Sequence, residues 1–257
     1  MRKIHTIIFA ALLILASCKK DSATSTLCLG IHYSVDGEEL VTDSLCYQNE
    51  AENQFLITEI QWFISNIEIK DANGNWLPLN EKGHIFYFDE NDNLAKDFLN
   101  QSIPVGQYSA LRFTFGLDEN DNKTGLFVNP PESDMFWPEP LGGGYHYMKL
   151  NGKWLDESGC LSPFNVHLGI GQNEDLTEFY QNFFQVEIPF DYALNATGKH
   201  PDMILIDMEI ANWFRNPHTY DFNVWGGAIM QNQAAQQVLK ENGHNVFSVE
   251  INSCLYE

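Results

Sequence analysis

The sequence predicts an all-β protein, folded as a single antiparallel β-sandwich domain with long loops and at most short helices. Three observations support this fold class. Apolar and polar residues alternate with a period of two in several segments, helix signals are scarce, and the chain carries 18 Gly, 10 Pro and 18 Phe. A hydrophobic content of 44% in 257 residues is ample for a packed core, and this length fits one large β domain.

The N-terminal segment is predicted to be a targeting signal. Arg2 and Lys3 precede an apolar run, Ile7 to Leu15, which is too short to span a bilayer. The stretch from Leu15 to Cys18 reads Leu-Ala-Ser-Cys, which resembles a bacterial lipobox, where the chain is cut before a cysteine that carries the lipid. An ordinary signal peptide that ends by chance at a cysteine is the alternative. We expect residues 1–17 to be the signal, 18–26 the lipidated Cys18 and its tether, and 27–257 the folded domain.

This organisation places the mature protein outside the cytoplasm. It would be held to a membrane by its lipid, on an outer-membrane, periplasmic or surface face. The formal net charge of −21 argues against nucleic acid as a partner, because a phosphate backbone attracts clustered Lys and Arg and repels carboxylates.

Period-two alternation predicts five strands along the domain. Their apolar faces run through Leu27 to Val35, Leu111 to Leu117, Phe184 to Phe190, Ile204 to Ile210, and Phe247 to Ile251.

A sixth apolar segment, Phe55 to Lys70, changes phase in its middle, and a β-bulge near Ser65-Asn66 would explain the change. A turn over Asp71 to Asn75 then leads back into a short strand at Trp76. A short turn is predicted over Asn93 to Leu99, and a helix over Gln231 to Glu241 that ends at Gly243.

Four cysteines besides Cys18 are expected to be paired. In an oxidising compartment an even number of cysteines suggests disulfides, and none of the four has the C-x-x-C spacing of a zinc or redox motif. The predicted pair of disulfides joins Cys28, Cys46, Cys160 and Cys254 in one of three possible connectivities.

Asp-Glu-Asn-Asp-Asn occurs twice, at 89–93 and 118–122. Its D-x-N-x-N spacing is that of the first half of a calcium loop, but Leu94 and Lys123 stand where the loop requires glycine. Asx-rich turns are the preferred interpretation, and calcium is the alternative.

Histidine and methionine form the informative pattern. His32 and His167 oppose the apolar faces of their strands. His146, which lies two residues before Met148, is also expected on an exposed face away from the core. Imidazole and thioether together suit copper, particularly Cu(I). We therefore predict a copper site where His32, His146 and His167 converge, with Met148 or Met135 nearby and His218 as a reserve ligand. Its affinity is expected to fall as the pH drops through about 6.5, the ordinary pKa of histidine.

Catalytic motifs are absent from the sequence. There is no G-x-S-x-G, H-E-x-x-H or P-loop pattern, and Gly142-Gly143-Gly144 follows Pro140 as a turn would. The protein is therefore predicted to bind and handle a metal and not to be an enzyme.

Several segments together resemble the MbnP-like copper-binding family, first linked to methanobactin gene clusters. The resemblance covers essentially the whole mature chain and is carried by five segments: His32 to Gly37, Ile60 to Ile67, Met135 to Pro138, Gly144 to Gly152, and Phe164 to Gly169. The family implies a β-sandwich that binds copper with two histidines and a tryptophan oxidised to kynurenine. It also implies a di-haem peroxidase-like partner that performs the oxidation.

The resemblance assigns roles to two residues. His167 matches the family's H-L-G histidine, and Trp137 matches its M-x-W tryptophan. His146 stands where other members often carry Lys or another residue, so it is an addition of this branch. Pro138-Glu139-Pro140 replaces a second aromatic residue, a departure that bears more on kynurenine formation than on metal binding.

The alternative function is a metal-free surface module that binds a glycan or a protein partner. Its stacking platforms would be drawn from Trp76, Trp137, Trp154, Trp213 and Trp225, although most tryptophans of a sandwich lie in the core.

Overall fold

The computed structural model describes residues 23–79, 85–92 and 99–253. In chain order the strands are β1 Thr24–Val35, β2 Glu38–Glu39, β3 Tyr47–Gln48, β4 Gln54–Asp71, β5 Trp76–Pro78, β6 Ile85–Asp89, β7 Leu99–Pro104, β8 Gly106–Phe115, β9 Met148–Leu155, β10 Leu161–Leu168, β11 Gly171–Gln172, β12 Phe179–Tyr180, β13 Phe184–Ala196, β14 Asp202–Glu209 and β15 Phe247–Ser253. The helices are α1 Phe222–Trp225 and α2 Gln233–Asn242. Single 3-10 turns cover Glu90–Asp92, Glu132–Met135, Glu139–Leu141, Ile210–Phe214 and Gly243–Asn245.

Two large sheets make up the fold. One sheet has the order β15-β14-β1-β2, with β7 also paired to β1, and the other has the order β10-β9-β4-β8-β13, with β3, β5 and β6 also paired to β4. The strands β11 and β12 form a separate hairpin. The all-β sandwich predicted from the alternation is confirmed.

A single hydrophobic core lies between the sheets. Trp62 of β4 donates its indole N–H to the Tyr33 hydroxyl of β1 at 2.9 Å, and its ring lies 5.5 Å from Phe247 of β15. Phe115 of β8 also contacts Phe247, with ring centroids 5.9 Å apart. Aromatic rings from both sheets therefore pack directly on each other, which is the main stabilising contact of a sandwich.

One pairing departs from the antiparallel prediction. The strands β1 and β14 run parallel, with His32 opposite Asp207, whereas the other paired strands of the described chain are antiparallel. Parallel neighbours need a long crossover connection. Here the crossover contains the whole eight-stranded sheet, since β3 to β13 lie between the two strands in the sequence.

The five predicted strands are present as β1, β8, β13, β14 and β15, although β8 ends at Phe115 and β14 at Glu209, before the predicted Leu117 and Ile210. In β4 the pairing with β8 shifts register between Ser65 and Glu68, and Asn66 has a φ of 52°, so the predicted bulge is confirmed. The turn after Asp71 pairs β5 back onto β4. The helix predicted near Gln231 is α2, which is capped by Gly243 as expected.

Other sequence predictions need separate comment. Thr24 to Thr26, assigned to the tether, belong to β1 and pair with β7, so the folded part begins before Leu27. The signal segment, Cys18 and most of the turn predicted over 93–99 lie outside the described residues. In the second Asp-Glu-Asn-Asp-Asn copy, the Asp118 carboxylate accepts from the backbone N–H groups of Asn120 and Asp121, which is an Asx turn.

The predicted pair of disulfides is not shown by the structure. Two bridges among four cysteines would place one of them within Cys28, Cys46 and Cys160, and in the described residues no bond joins any two of these three. The Cys28 thiol lies buried in β1 and donates to Asn100 at 2.8 Å, whereas Cys46 and Cys160 are exposed in loops. Cys254 lies outside the described residues.

Within residues 23–79, 85–92 and 99–253, no helix has both the length and the apolar character to cross a membrane.

Candidate functional site

The candidate site begins in the loop between β8 and β9. Two 3-10 turns, Glu132–Met135 and Glu139–Leu141, are followed by three glycines with φ values of 113°, 68° and 79°. This left-handed backbone, which glycine adopts at little cost, reverses the chain so that Tyr145 bridges Phe136. The Gly142–Gly144 turn predicted from the sequence therefore returns His146 to the side of Trp137.

Trp137 forms the floor of the site. Its side chain is 0% exposed, and its indole N–H donates to the Leu141 carbonyl at 3.0 Å. A Cβ atom on Gly169 would lie 2.5 Å from Cε3 of this indole, so the ring fits because position 169 has no side chain. The M-x-W and H-L-G segments thus pack against each other through Trp137 and Gly169.

His146 and His167 lie side by side above this floor. The His146 ring is 4.7 Å from the Trp137 ring at an interplanar angle of 76°, and it is 4.9 Å from the His167 ring at 86°. His167 comes from β10, opposite Lys149 of β9, on the face away from the core. His146 precedes β9 and is only 5% exposed. The prediction that His146 stands away from the core is therefore wrong, because the glycine turn folds it inward onto Trp137.

Hydrogen bonds assign the tautomer of His146. Its Nδ1 lies 2.9 Å from the Met135 carbonyl oxygen, which can only accept, so Nδ1 carries the proton. The lone pair is therefore on Nε2. That atom is buried and has no hydrogen-bond partner among the described residues.

The tautomer of His167 follows from two hydrogen bonds in series. The Asn151 amide nitrogen donates to the Glu59 carboxylate at 2.6 Å, so the Asn151 carbonyl oxygen is the atom 2.9 Å from His167 Nε2. Because that oxygen can only accept, Nε2 carries the proton and the lone pair is on Nδ1. His167 Nδ1 is likewise buried, with no partner in the described chain.

Burial keeps both imidazoles neutral. Desolvation, with a smaller effect of neighbouring His167, lowers the pKa of His146 to about 3. Desolvation and the Lys149 charge lower the pKa of His167 to about 4. Two neutral nitrogen lone pairs on adjacent rings thus stand unpaired in an apolar site. This donor set suits a late transition metal such as copper and does not suit calcium or magnesium.

A cavity of about 590 Å³ borders the site beside His167. Most of its lining is apolar, and it includes Pro138, Leu141, Ala228 and Met230. The cavity gives a route from solvent to the edge of β10.

His32 and His218 lie elsewhere. His32 belongs to β1 in the other sheet, where its Nδ1 is 2.6 Å from the Asp207 carboxylate. His218 pairs with Glu241 of α2. Each is partly exposed and bound to a carboxylate, so the predicted convergence holds for His146 and His167 alone among the four.

The two predicted methionines have other surroundings. Met148 is buried in the core, where the strand register places it between Trp62 and Leu168. Met135 is also buried, and it contributes its backbone carbonyl to His146. In the described ranges no group of three or more His, Cys, Asp or Glu side chains is arranged to hold a metal ion.

The tryptophans proposed as stacking platforms for the alternative function are mostly unavailable. Trp137, Trp154 and Trp213 are buried. The face of Trp76 is covered by the Arg112 guanidinium, 4.2 Å from the ring centre.

Asn151 and Glu59 were not predicted from the sequence. Asn151 alternates with the core residues of β9 on the same face as Lys149, and this position was the available signal. Glu59 is one of 35 acidic residues. It lies opposite Asn151 of β9, and this pairing is visible only in the folded chain.

The chain is similar to a known protein family and to a solved structure. A sequence model described as MbnP matches residues 24–232. No curated protein sequence matches the chain at a significant level. Among solved structures, MbnP from Methylosinus trichosporium aligns with a TM-score of 0.56 and 15% identity, over 89% of this chain and 99% of that one. At such low identity this likeness shows a shared fold.

Proposed function

The chain belongs to the MbnP family, and from this premise we propose that it binds copper through His146 and His167. The observation that carries the proposal is the pair of buried ring nitrogens, Nε2 of His146 and Nδ1 of His167, whose lone pairs have no protein partner in the described chain. Leaving a buried acceptor unpaired costs about 1–3 kcal/mol, so two adjacent ones call for a bound cation or donor.

The surrounding residues would hold this donor pair ready. The Met135 carbonyl keeps the proton of His146 on Nδ1, and Asn151 keeps that of His167 on Nε2. Trp137 excludes water from one side of His146. Bound copper would supply a redox-active centre, and the protein needs no acid or base to hold it. Binding and handling of the metal, without catalysis, is therefore the proposed role.

Oxidation of Trp137 to kynurenine by a di-haem peroxidase-like partner belongs to the same proposal. It is supported by the match of Trp137 to the family's tryptophan and by its ring contact with His146. Mass analysis of the peptide that contains Trp137, from protein purified from its own host, should find an oxidised residue. An unmodified peptide would restrict the proposal to copper binding.

The extracytoplasmic location and the lipid anchor on Cys18 are also part of the proposal. They are supported by the lipobox pattern, Leu15 to Cys18. Cys18→Ala should accumulate as unprocessed or soluble protein. Normal processing and membrane fractionation of this variant would exclude the anchor.

Copper titration decides the main proposal. The wild-type chain, His146→Ala and His167→Ala are titrated with Cu(I) against a competing chelator, with thermal melts to verify folding. Loss of an outer-shell partner typically costs 10–100-fold in affinity, so loss of a ligand should cost more than about 100-fold.

The matched controls are His32→Ala and His218→Ala, which remove imidazoles that pair with Asp207 and Glu241. Both should bind Cu(I) as the wild type does. Unchanged affinity in folded His146→Ala and His167→Ala would reject the site and favour the metal-free binding module.

A further inference from the structure

We propose that Asn151 and Glu59 form a positioning pair that sets the tautomer of His167 and thereby makes Nδ1 its metal-binding atom. The proposal rests on the copper function of His146 and His167. Asn151 and Glu59 are not ligands themselves, but they control which ring nitrogen of His167 binds the metal.

The pair acts through the direction of its hydrogen bonds. The Glu59 carboxylate accepts from the Asn151 amide nitrogen at 2.6 Å, which leaves the Asn151 carbonyl oxygen facing His167 Nε2 at 2.9 Å. If the amide were flipped, its oxygen would face the carboxylate, and two acceptors would stand together. Glu59 therefore fixes Asn151, and Asn151 fixes the proton of His167.

Backbone features of β4 and β9 create this contact. The pairing of the two strands shifts register at Thr58, so Ile57 lies opposite Gly152 and Glu59 lies opposite Asn151. A bulge of this kind re-aims the following side chain. A Cβ on Gly152 would lie 2.1 Å from the Leu56 carbonyl oxygen, so glycine permits the close approach of the strands here.

Without the pair, nothing else in the described surroundings of His167 selects a tautomer, since Nδ1 has no partner. A neutral imidazole would then distribute its proton over both nitrogens, and some molecules would present Nε2 as the lone pair. The buried ring would hold the correct ligand atom for only part of the time, and the copper affinity would fall.

The test combines a measurement without metal and one with metal. In metal-free protein, long-range ¹H–¹⁵N NMR of the imidazoles should find His167 protonated at Nε2 in the wild type. In Asn151→Leu a mixture of tautomers, or the opposite tautomer, is expected. Titration with Cu(I) against a competing chelator should show a 10–100-fold weaker affinity in this variant.

The matched control is Asn195→Leu. Asn195 also lies on an antiparallel strand, β13, and also accepts a cross-strand side-chain hydrogen bond, from Gln107 at 2.9 Å. Its loss should change neither the tautomer of His167 nor the copper affinity.

Two further variants keep the test decisive if Asn151→Leu does not fold. Glu59→Gln retains an oxygen that accepts from Asn151, so His167 should keep its tautomer. Glu59→Ala releases the Asn151 amide, so the tautomers should mix and the affinity should drop.

The outcomes separate the two proposals. A wild-type tautomer and wild-type Cu(I) affinity in Asn151→Leu, or in Glu59→Ala, would overturn the positioning role. If the wild type itself binds no Cu(I), the copper function is overturned, while the NMR comparison still decides whether Asn151 and Glu59 set the tautomer.

Discussion

Individual residues set the chemistry of the site through burial. An exposed histidine titrates near pH 6.5, but His146 and His167 are shielded from water. The His146 ring contacts Trp137, and the two imidazole rings contact each other. Their pKa values, about 3 and about 4, lie well below that range. The sequence identified both histidines as candidate ligands, but it placed His146 on an exposed face and so assumed an ordinary pKa.

The pH dependence of the proposed copper binding follows from these pKa values. A proton competes with the metal only below the pKa of the metal-free imidazole, so the Cu(I) affinity should stay constant from pH 7 to about 5 and fall toward pH 4 and below. A fall of the affinity near pH 4 therefore replaces the fall near pH 6.5 that the sequence suggested. Titrations at several pH values, with a chelator whose own protonation is corrected for, measure the midpoint. A midpoint near 6.5 would mean that the ligands are exposed histidines.

At the scale of elements, β4 is the longest strand and the one with the most partners. It pairs with β9 through Phe55 to Trp62 and with β8 through Ile64 to Asp71. The partner changes between Trp62 and Ile64, shortly before the bulge at Asn66, which the phase of the apolar residues predicted. The second bulge, at Thr58, was not predicted. Thr58 and Glu59 are only half-buried, and the apolar pattern around them gives no clear change of phase.

Asn66 offers a test of the first bulge. Its φ of 52° is left-handed, a conformation that Asn tolerates and that a β-branched residue does not. Asn66→Val should lower the free energy of unfolding by about 1–2 kcal/mol, whereas Asn66→Gly should leave it nearly unchanged. Urea denaturation of the three proteins gives the comparison. Equal stability of the Val and Gly variants would show that the bulge can be absorbed elsewhere in β4.

At the scale of the whole molecule, the sequence predicted the sandwich and about half of the described strands, but not how the strands are ordered. Alternation shows that one face of β1 or β14 is buried, and it carries no information about the neighbour. The parallel pairing of His32 with Asp207 joins residues separated by most of the chain. For the same reason the sequence could not exclude His32 from the proposed copper site, since its sheet was unknown.

The thiols also depend on the arrangement of the whole chain. Cys46 and Cys160 lie exposed in separate loops, and Cys28 is buried beside Asn100. In native protein, titration with an aromatic disulfide reagent should therefore modify Cys46 and Cys160 rapidly. Cys46→Ser and Cys160→Ser should each remove one fast-reacting thiol. If neither substitution changes the count, both cysteines are bonded in the exported protein.

The segment from Met135 to Gly169 contains both histidines, the tryptophan beneath them, Asn151 and the glycine that accommodates the indole. Glu59 of β4 joins this segment through its hydrogen bond with Asn151. The five-stranded sheet supplies none of these groups. One or two substitutions in this segment would therefore remove the proposed metal site from a relative and leave its framework unchanged. Screening distant relatives for function should accordingly begin with positions 146 and 167, before overall similarity is considered.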